Sequence, residues 1–178
     1  TINNVYRPEL DEGYGNADRR HTFVASGAVL VPGDVTVGAV WTFRTGRPFF
    51  ASAGVDLDGN RTNDYVPGTK KGDGNRMPMD EFLGFVNTFR ATRNLRPIAE
   101  AQIDSDLYNR MDLRVSKAFQ IGAARRIELI GQVFNLFGTT NLGGIGFTRQ
   151  TNASSNAFGQ ILGAQPRQQG ELAVRVVW

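Results

Sequence analysis

Residues 110–141 read RMDLRVSKAFQIGAARRIELIGQVFNLFGTTN. In the first half Met111, Leu113, Val115, Phe119 and Ile121 share one parity, with Asp112, Arg114, Ser116 and Gln120 on the other. Lys117 alone interrupts the apolar series. Such a two-residue period is that of a β-strand. After a Gly-Ala-Ala-Arg connection, Ile127, Leu129 and Val133 alternate with Glu128 and Gln132. The stretch is therefore a hairpin with one apolar and one polar face. The fold turns on what the apolar face meets: a second sheet in a soluble sandwich, or lipid around a barrel.

The composition admits both. The 178 residues are 40% hydrophobic, with 21 glycines and a negative mean hydropathy, a balance that suits a β-protein with long polar loops, porin-type barrels included. No run approaches the ~18 apolar residues of a spanning helix, whereas a barrel strand crosses with about 9–11. Without cysteine there is neither a disulfide framework nor a thiolate metal site. The net charge of +3 is carried by singly spread basic residues, which gives nucleic-acid binding no support. The opening TINNVYRPELDEGYGN lacks the basic and apolar regions of a signal peptide, and Tyr6 and Tyr14 are the largest apolar side chains of a polar first segment. The expectation is a fragment of a longer chain.

Two further strands precede the hairpin. Phe23, Ala25, Gly27, Val29 and Val31 fall on one parity, and beyond Pro32-Gly33-Asp34 the series continues with Val35, Val37, Ala39, Trp41 and Phe43. Proline presets φ and glycine accepts a positive one, so the tripeptide reads as a tight turn. Trp41 and Phe43 end their strand as girdle aromatics do at a membrane interface. A last strand closes the sequence, with Leu172, Val174, Val176 and Trp178 on one parity.

Two long connections separate these pairs. Residues 47–110 have no two-residue period, and loops beyond about 15 residues are uncommon in compact soluble domains. Within them Phe82, Phe85, Val86 and Phe89 recur at helical spacing, predicting a short helix near 80–91 with Asp80 as N-cap, its aromatics closing the loop over the sheet. Residues 138–169 form the second long loop. The run DLDGNRTND places Asp56, Asp58, Asn60 and Asp64 together, and calcium takes oxygen ligands of this kind. The spacing departs from an EF-hand: glycine stands fourth rather than sixth, and Pro67 occupies the twelfth place, where a bidentate glutamate belongs. Asp and Asn beside Gly are equally the residues of plain turns. No other cofactor is indicated.

Laid end to end, the five strands alternate short and long connections, the asymmetry of an outer-membrane barrel with short periplasmic turns and long extracellular loops. The predicted fold is all-β: residues 1–178 form an antiparallel transmembrane β-barrel portion of about five C-terminal strands, with long extracellular loops and one short loop helix.

The segments ADRRHTFVASGAVLVPGDVTVGAVWTFRTGRPF and RMDLRVSKAFQI…RRIELIGQVFNLFGTTN resemble the last strands of TonB-dependent outer-membrane receptors, in particular the Oar-like group. The matching features are the Asp18-Arg19-Arg20-His21 strand entry, the DLDGNRTND loop and the Phe134-Asn135-Leu136-Phe137 run. The pattern Leu172, Val174, Val176, Trp178 resembles the signal read by the barrel-assembly machinery. The resemblance implies a barrel of about 22 strands plugged by an N-terminal domain, importing a bound substrate with energy delivered through TonB. Five strands cannot close such a barrel, so plug and TonB contact would lie upstream, and the first strand expects a neighbour.

On that reading Phe23, Val29, Val37, Trp41, Phe43, Leu113, Val115, Phe119, Leu129, Val133, Leu172, Val174 and Val176 face outer-membrane lipid, while Arg44, Asp112, Arg114, Glu128, Gln132, Glu171 and Arg175 face the lumen. Lys117 points to lipid near the periplasmic turn, where it can snorkel to head groups. Nothing points to catalysis: His21 has no nucleophile motif, the run Gly143-Gly144-Ile145-Gly146 lacks a strand-to-helix context, and Asp104 and Asp106 lie in loop sequence. The other readings are a plug-less structural barrel or adhesin with ligand-binding loops, and a secreted soluble β-sandwich. The substrate is not legible.

Overall fold

The computed structural model describes residues 8–15, 17–122, 125–143 and 148–178. Tyr6, the alanine pair of the second short turn and residues 144–146 of the glycine run fall outside them. Two compact units emerge, one made of the strands, the other of the segments between and before them.

The strand unit is a single antiparallel sheet in the order β1 (Thr22–Val31), β2 (Val35–Arg44), β3 (Tyr108–Ile121), β4 (Arg125–Phe134) and β5 (Gln169–Val177). Every strand pairs with its neighbour in sequence, giving a meander. Gly33 (φ 88°) and Asp34 (φ 57°) supply the left-handed residues that close the first turn, and Gly122 (φ 67°) opens the second. Both short turns leave one end of the sheet, and the long connections leave the other. The register is staggered: β2 begins opposite Lys117, yet the β3–β4 hairpin runs on to Ile121, and β3 starts at Tyr108 although its pairing with β4 begins only at Leu113. A sheet that closes into a barrel needs this shear, because its strands must tilt against the axis.

Most apolar side chains of these strands remain exposed or half-buried. Every residue of β5 and all of β1 but Val31 are exposed. Among the described residues the buried hydrophobic core contains one strand residue, Ala118, and otherwise lies wholly in the connections.

That core belongs to the second unit, built from residues 1–20, 45–106 and 142–164. Phe49 meets Phe82 edge-on at 5.4 Å, and Phe82 stacks with Phe158 at 6.3 Å. Ala51, Ala53 and Ala153 are fully buried, small enough for backbones to approach: the Ser52 N–H donates to the Thr151 carbonyl (2.8 Å) and the Ala153 N–H to that of Ser52 (2.7 Å). Helix α1 (Met79–Ala91) turns Phe82, Leu83, Val86 and Phe89 into this core, with Phe85 partly buried against it. The helix aromatics pack against Phe49 and Phe158 of other loop segments. One expectation is corrected here: Asp80 is not the N-cap. Pro78 precedes the helix with extended geometry, and Asp80 and Glu81 lie in the first turn, where their charge complements the helix dipole. The connections are also longer and shorter by a few residues than expected: β3 begins at Tyr108, and residues 135–168 join β4 to β5.

Arg90 ties the helix to the second connection. Its side chain is 1% exposed and donates to the carbonyls of Arg96 (2.7 Å), Ala153 and Ser155 (2.8 Å) and to Asn156 Oδ1 (3.2 Å). Burial pushes its pKa down, and the carbonyl dipoles compensate in place of a carboxylate.

Candidate functional site

Strand alternation sorts the sheet into two chemically distinct faces. One carries continuous cross-strand rows: Val29, Val37, Val115, Gly131 and Leu172; Val31, Val35, Lys117, Leu129 and Val174; Phe119, Ile127 and Val176. Toward the end bearing the long connections, Phe23 packs edge-on against Trp41 at 5.2 Å, and the Trp41 indole donates to Asn109 Oδ1 at 2.8 Å. Trp41 thus has an apolar body and a satisfied polar tip, the arrangement favoured where oil meets water. Near the other end Lys117 Nζ stands 5.2 Å from the centre of the Phe119 ring, in cation–π range. Leu172 is 93% exposed and Trp178, just beyond β5, is 89% exposed.

The opposite face carries Arg44, Asp112, Arg114, Glu128, Gln132, Glu171 and Arg175, the set expected from parity. Glu128 and Arg175 are direct cross-strand partners and form an ion pair; Gln132 donates to its own partner Glu171 at 2.9 Å. Arg110 bridges to Asp112 at 2.7 Å and lies 5.5 Å from the Phe134 ring centre. Arg44 stands over the Tyr108 ring at 5.6 Å, and Arg114 makes no ion pair among the described residues. Strand β1 contributes no charge here: Val24 and Leu30 are exposed on this side beside the uncharged Thr22 and Ser26.

In the loop unit, carboxylate oxygens of Asp56, Asp58 and Asp64 lie within 4.8 Å of one another, as the sequence motif anticipates. Their acceptor positions face inward to the loop's own backbone. Asp56 accepts the N–H groups of Asp58 (3.1 Å), Gly59 (2.6 Å) and Arg61 (2.7 Å), and Asp64 accepts that of Leu57 (2.6 Å). Asp58 receives the Asn60 N–H, and Asn60 Oδ1 that of Thr62. These are Asx turns in series. The Arg61 N–H above all, with those of Gly59 and Asp58, holds the Asp56 carboxyl below the ordinary carboxylate range despite opposing desolvation. The oxygen donors suit a hard cation in kind, while the loop is already closed by hydrogen bonds.

Two groups that periodicity did not mark also organise the structure. Asn135, 1% exposed and in the left-handed conformation (φ 53°), ends β4: its N–H donates to Asp112 Oδ1 (2.9 Å), and its side chain exchanges bonds with the Thr139 backbone. Asp106, 5% exposed, is gripped by Arg47 (3.2 Å) and Arg149 (3.4 Å) in the loop unit. Burial lowers the Arg149 pKa, and the neighbouring Asp106 and Asp104 oppose that shift.

An all-antiparallel sheet, exposed and apolar along one face, charged along the other and sheared in register, is the wall of a β-barrel. Residues 1–170 match the family model of an outer membrane beta barrel domain. The chain belongs to the outer-membrane β-barrel domain family. No curated protein and no solved structure matches it. The barrel domain resides in the outer membrane. No helix among the described residues is long and apolar enough to cross a membrane. Each strand has 9 residues or more, enough to span when tilted.

Proposed function

We propose that the barrel domain is the C-terminal wall of a TonB-dependent outer-membrane receptor of the Oar-like kind, one that captures a substrate in its loop unit for import. In this reading the face of Val29, Leu113, Leu129 and Val174 meets lipid, the face of Arg114, Glu128 and Arg175 lines the lumen, the two short turns are periplasmic and the long connections extracellular. Lys117 sits level with the first short turn through its pairing with Val35, where its amine reaches head groups. The barrel-assembly machinery reads the edge strand that carries Leu172, Val174, Val176 and Trp178, and the chain performs no catalysis.

The observation that carries the proposal is the loop unit itself. A passive barrel needs only short polar connections, yet here they bury four phenylalanines, an arginine and a helix in a core of their own. Ordering so much chain is costly in entropy, and a preorganised surface is what repays it in ligand capture. The alternative, a plug-less barrel or adhesin, shares this loop unit and differs in lacking a TonB contact. The discriminating experiment is capture of the detergent-extracted protein, expressed from its complete gene, by the immobilised periplasmic domain of TonB. Retention that is lost when the segment upstream of Thr1 is removed supports the receptor. Absence of retention removes TonB coupling and leaves the adhesin reading.

A further inference from the structure

The loop unit holds a cavity of about 290 Å³ whose wall includes Arg47, Phe50, Thr148, Thr151 and Ile161. Ligand sites span about 300–1,000 Å³, so this one admits only a small molecule. Its floor is an ion cluster with unequal use of its donors. Asp106 accepts the backbone N–H of Arg47 on both oxygens (3.2 Å each), Arg47 Nε (3.2 Å) and Arg149 Nη2 (3.4 Å). Arg149 is committed: Nη1 donates to the carbonyls of Asp104 and Gly159 at 2.7 Å each, and the guanidinium lies 4.3 Å from the centre of the Phe49 ring. Asp104 is turned to the Ile161 N–H (2.7 Å).

Arg47 is different. Only its Nε and backbone N–H are engaged, so both terminal amino groups are without a hydrogen-bond partner among the described residues, and its side chain is 36% exposed. The Asp106 carboxylate fixes the guanidinium plane through Nε, which leaves the outer edge as a rigid pair of donors, the geometry that receives a carboxylate bidentately. Thr148 and Thr151 also line the cavity, as do the apolar Ile161 and Phe50, the latter held edge-on against Tyr65 at 5.5 Å.

We infer that this cavity binds a small organic carboxylate with an apolar body, the carboxylate on the outer edge of Arg47 and the body against Phe50 and Ile161. The assignment rests on the receptor reading for its biological sense, but binding to purified protein requires no TonB. Either an apolar C-terminal residue of a peptide or a free aryl-alkyl acid presents this chemistry.

The test is calorimetric titration of the protein in lipid nanodiscs with N-acetylphenylalanine, its amide, and hydrocinnamate. At least one acid binds with a dissociation constant below about 1 mM, and N-acetylphenylalanine binds at least about tenfold more tightly than its amide, since the amide loses charge-assisted hydrogen bonds. N-acetylphenylalanine as the tighter acid identifies a peptide end, and hydrocinnamate a free acid. Arg47→Gln abolishes the preference for acid over amide. Ile161→Trp fills the cavity, leaves the Arg47, Asp106 and Arg149 side chains intact, and abolishes binding. Equal affinity for acid and amide, no acid binding up to about 10 mM, or unchanged binding by Ile161→Trp would overturn the assignment. Capture by TonB is read separately, so either proposal can fail alone.

Discussion

The side chain of Asn141 pairs with the backbone of Asn109 as a neighbouring strand would: Asn109 N–H donates to Asn141 Oδ1 at 2.7 Å, and Asn141 Nδ2 donates to the Asn109 carbonyl at 3.0 Å. On this flank β4 has already turned away, since its pairing with β3 starts at Leu113. A single amide, 2% exposed, thus substitutes for the missing strand and lets β3 begin at Tyr108.

Asn141→Ala therefore strands two backbone groups of Asn109, at a cost of about 1–3 kcal/mol. Asn141→Asp keeps an acceptor for the Asn109 N–H but sets a buried carboxylate against the Asn109 and Thr139 carbonyls, so it is destabilising while that one hydrogen bond survives. Hydrogen exchange at the Asn109 amide checks this: protection falls in the alanine variant and is largely retained in the aspartate one.

Arg90 replaces a whole set of loop contacts with one side chain. Arg90→Met fills similar space but leaves the carbonyls of Ala153 and Ser155 without their donor, and the loop unit loses about 2–4 kcal/mol. Arg90→Lys restores part of it, because an ammonium reaches fewer acceptors. Limited proteolysis of the membrane-embedded protein reports the change as faster cleavage within residues 148–160, with the sheet still resistant.

Val174 lies in a row with Leu129 and Lys117 on the apolar face. If that face meets lipid, Val174→Asp places a carboxylate on it at a cost below the about 2–4 kcal/mol of a basic residue at mid-bilayer, and outer-membrane abundance drops while synthesis is unchanged. Trp178→Ala weakens the terminal strand in the same assay. Wild-type abundance of both variants would show that β5 is not a lipid-facing assembly strand.

The Asp56 loop carries a pH dependence whose sign follows from its hydrogen bonds. The folded carboxyl titrates below its ordinary value of 3.8, so the stabilisation is complete above that value and is lost as pH falls through the folded pKa. Protection of the Gly59 and Arg61 amides, taken relative to their intrinsic exchange at each pH, falls on acidification, and Asp56→Asn flattens the profile. Adding calcium at neutral pH in the same measurement tests the cation reading: further protection of these amides indicates ligation, and no change leaves the loop to its Asx turns.

How far the sequence reached depended on the kind of pattern involved. Strand parity at Val29, Leu113, Val115, Glu128 and Arg175 was legible because each strand lies between two different environments, and the two-residue period records that contrast residue by residue. The turn at Gly33 was legible because few residues accept its φ. The DLDGN motif announced its cluster of carboxylates by spacing alone, though not which donors occupy them. Helix α1 was visible in Phe82, Val86 and Phe89, but its N-terminus was not, since Asp80 and Pro78 are both ordinary starting residues.

The sequence by itself determined an antiparallel sheet with one apolar and one charged face, and the alternation of short and long connections that points to a barrel. Only the tertiary structure decided that those connections fold into a unit with its own core. Phe49, Phe82 and Phe158, or Arg90 and Ala153, come from segments far apart in the chain and follow no common period. Their association depends on backbones held close by Ala51 and Ala153, and such proximity is a property of three-dimensional packing rather than of any local pattern.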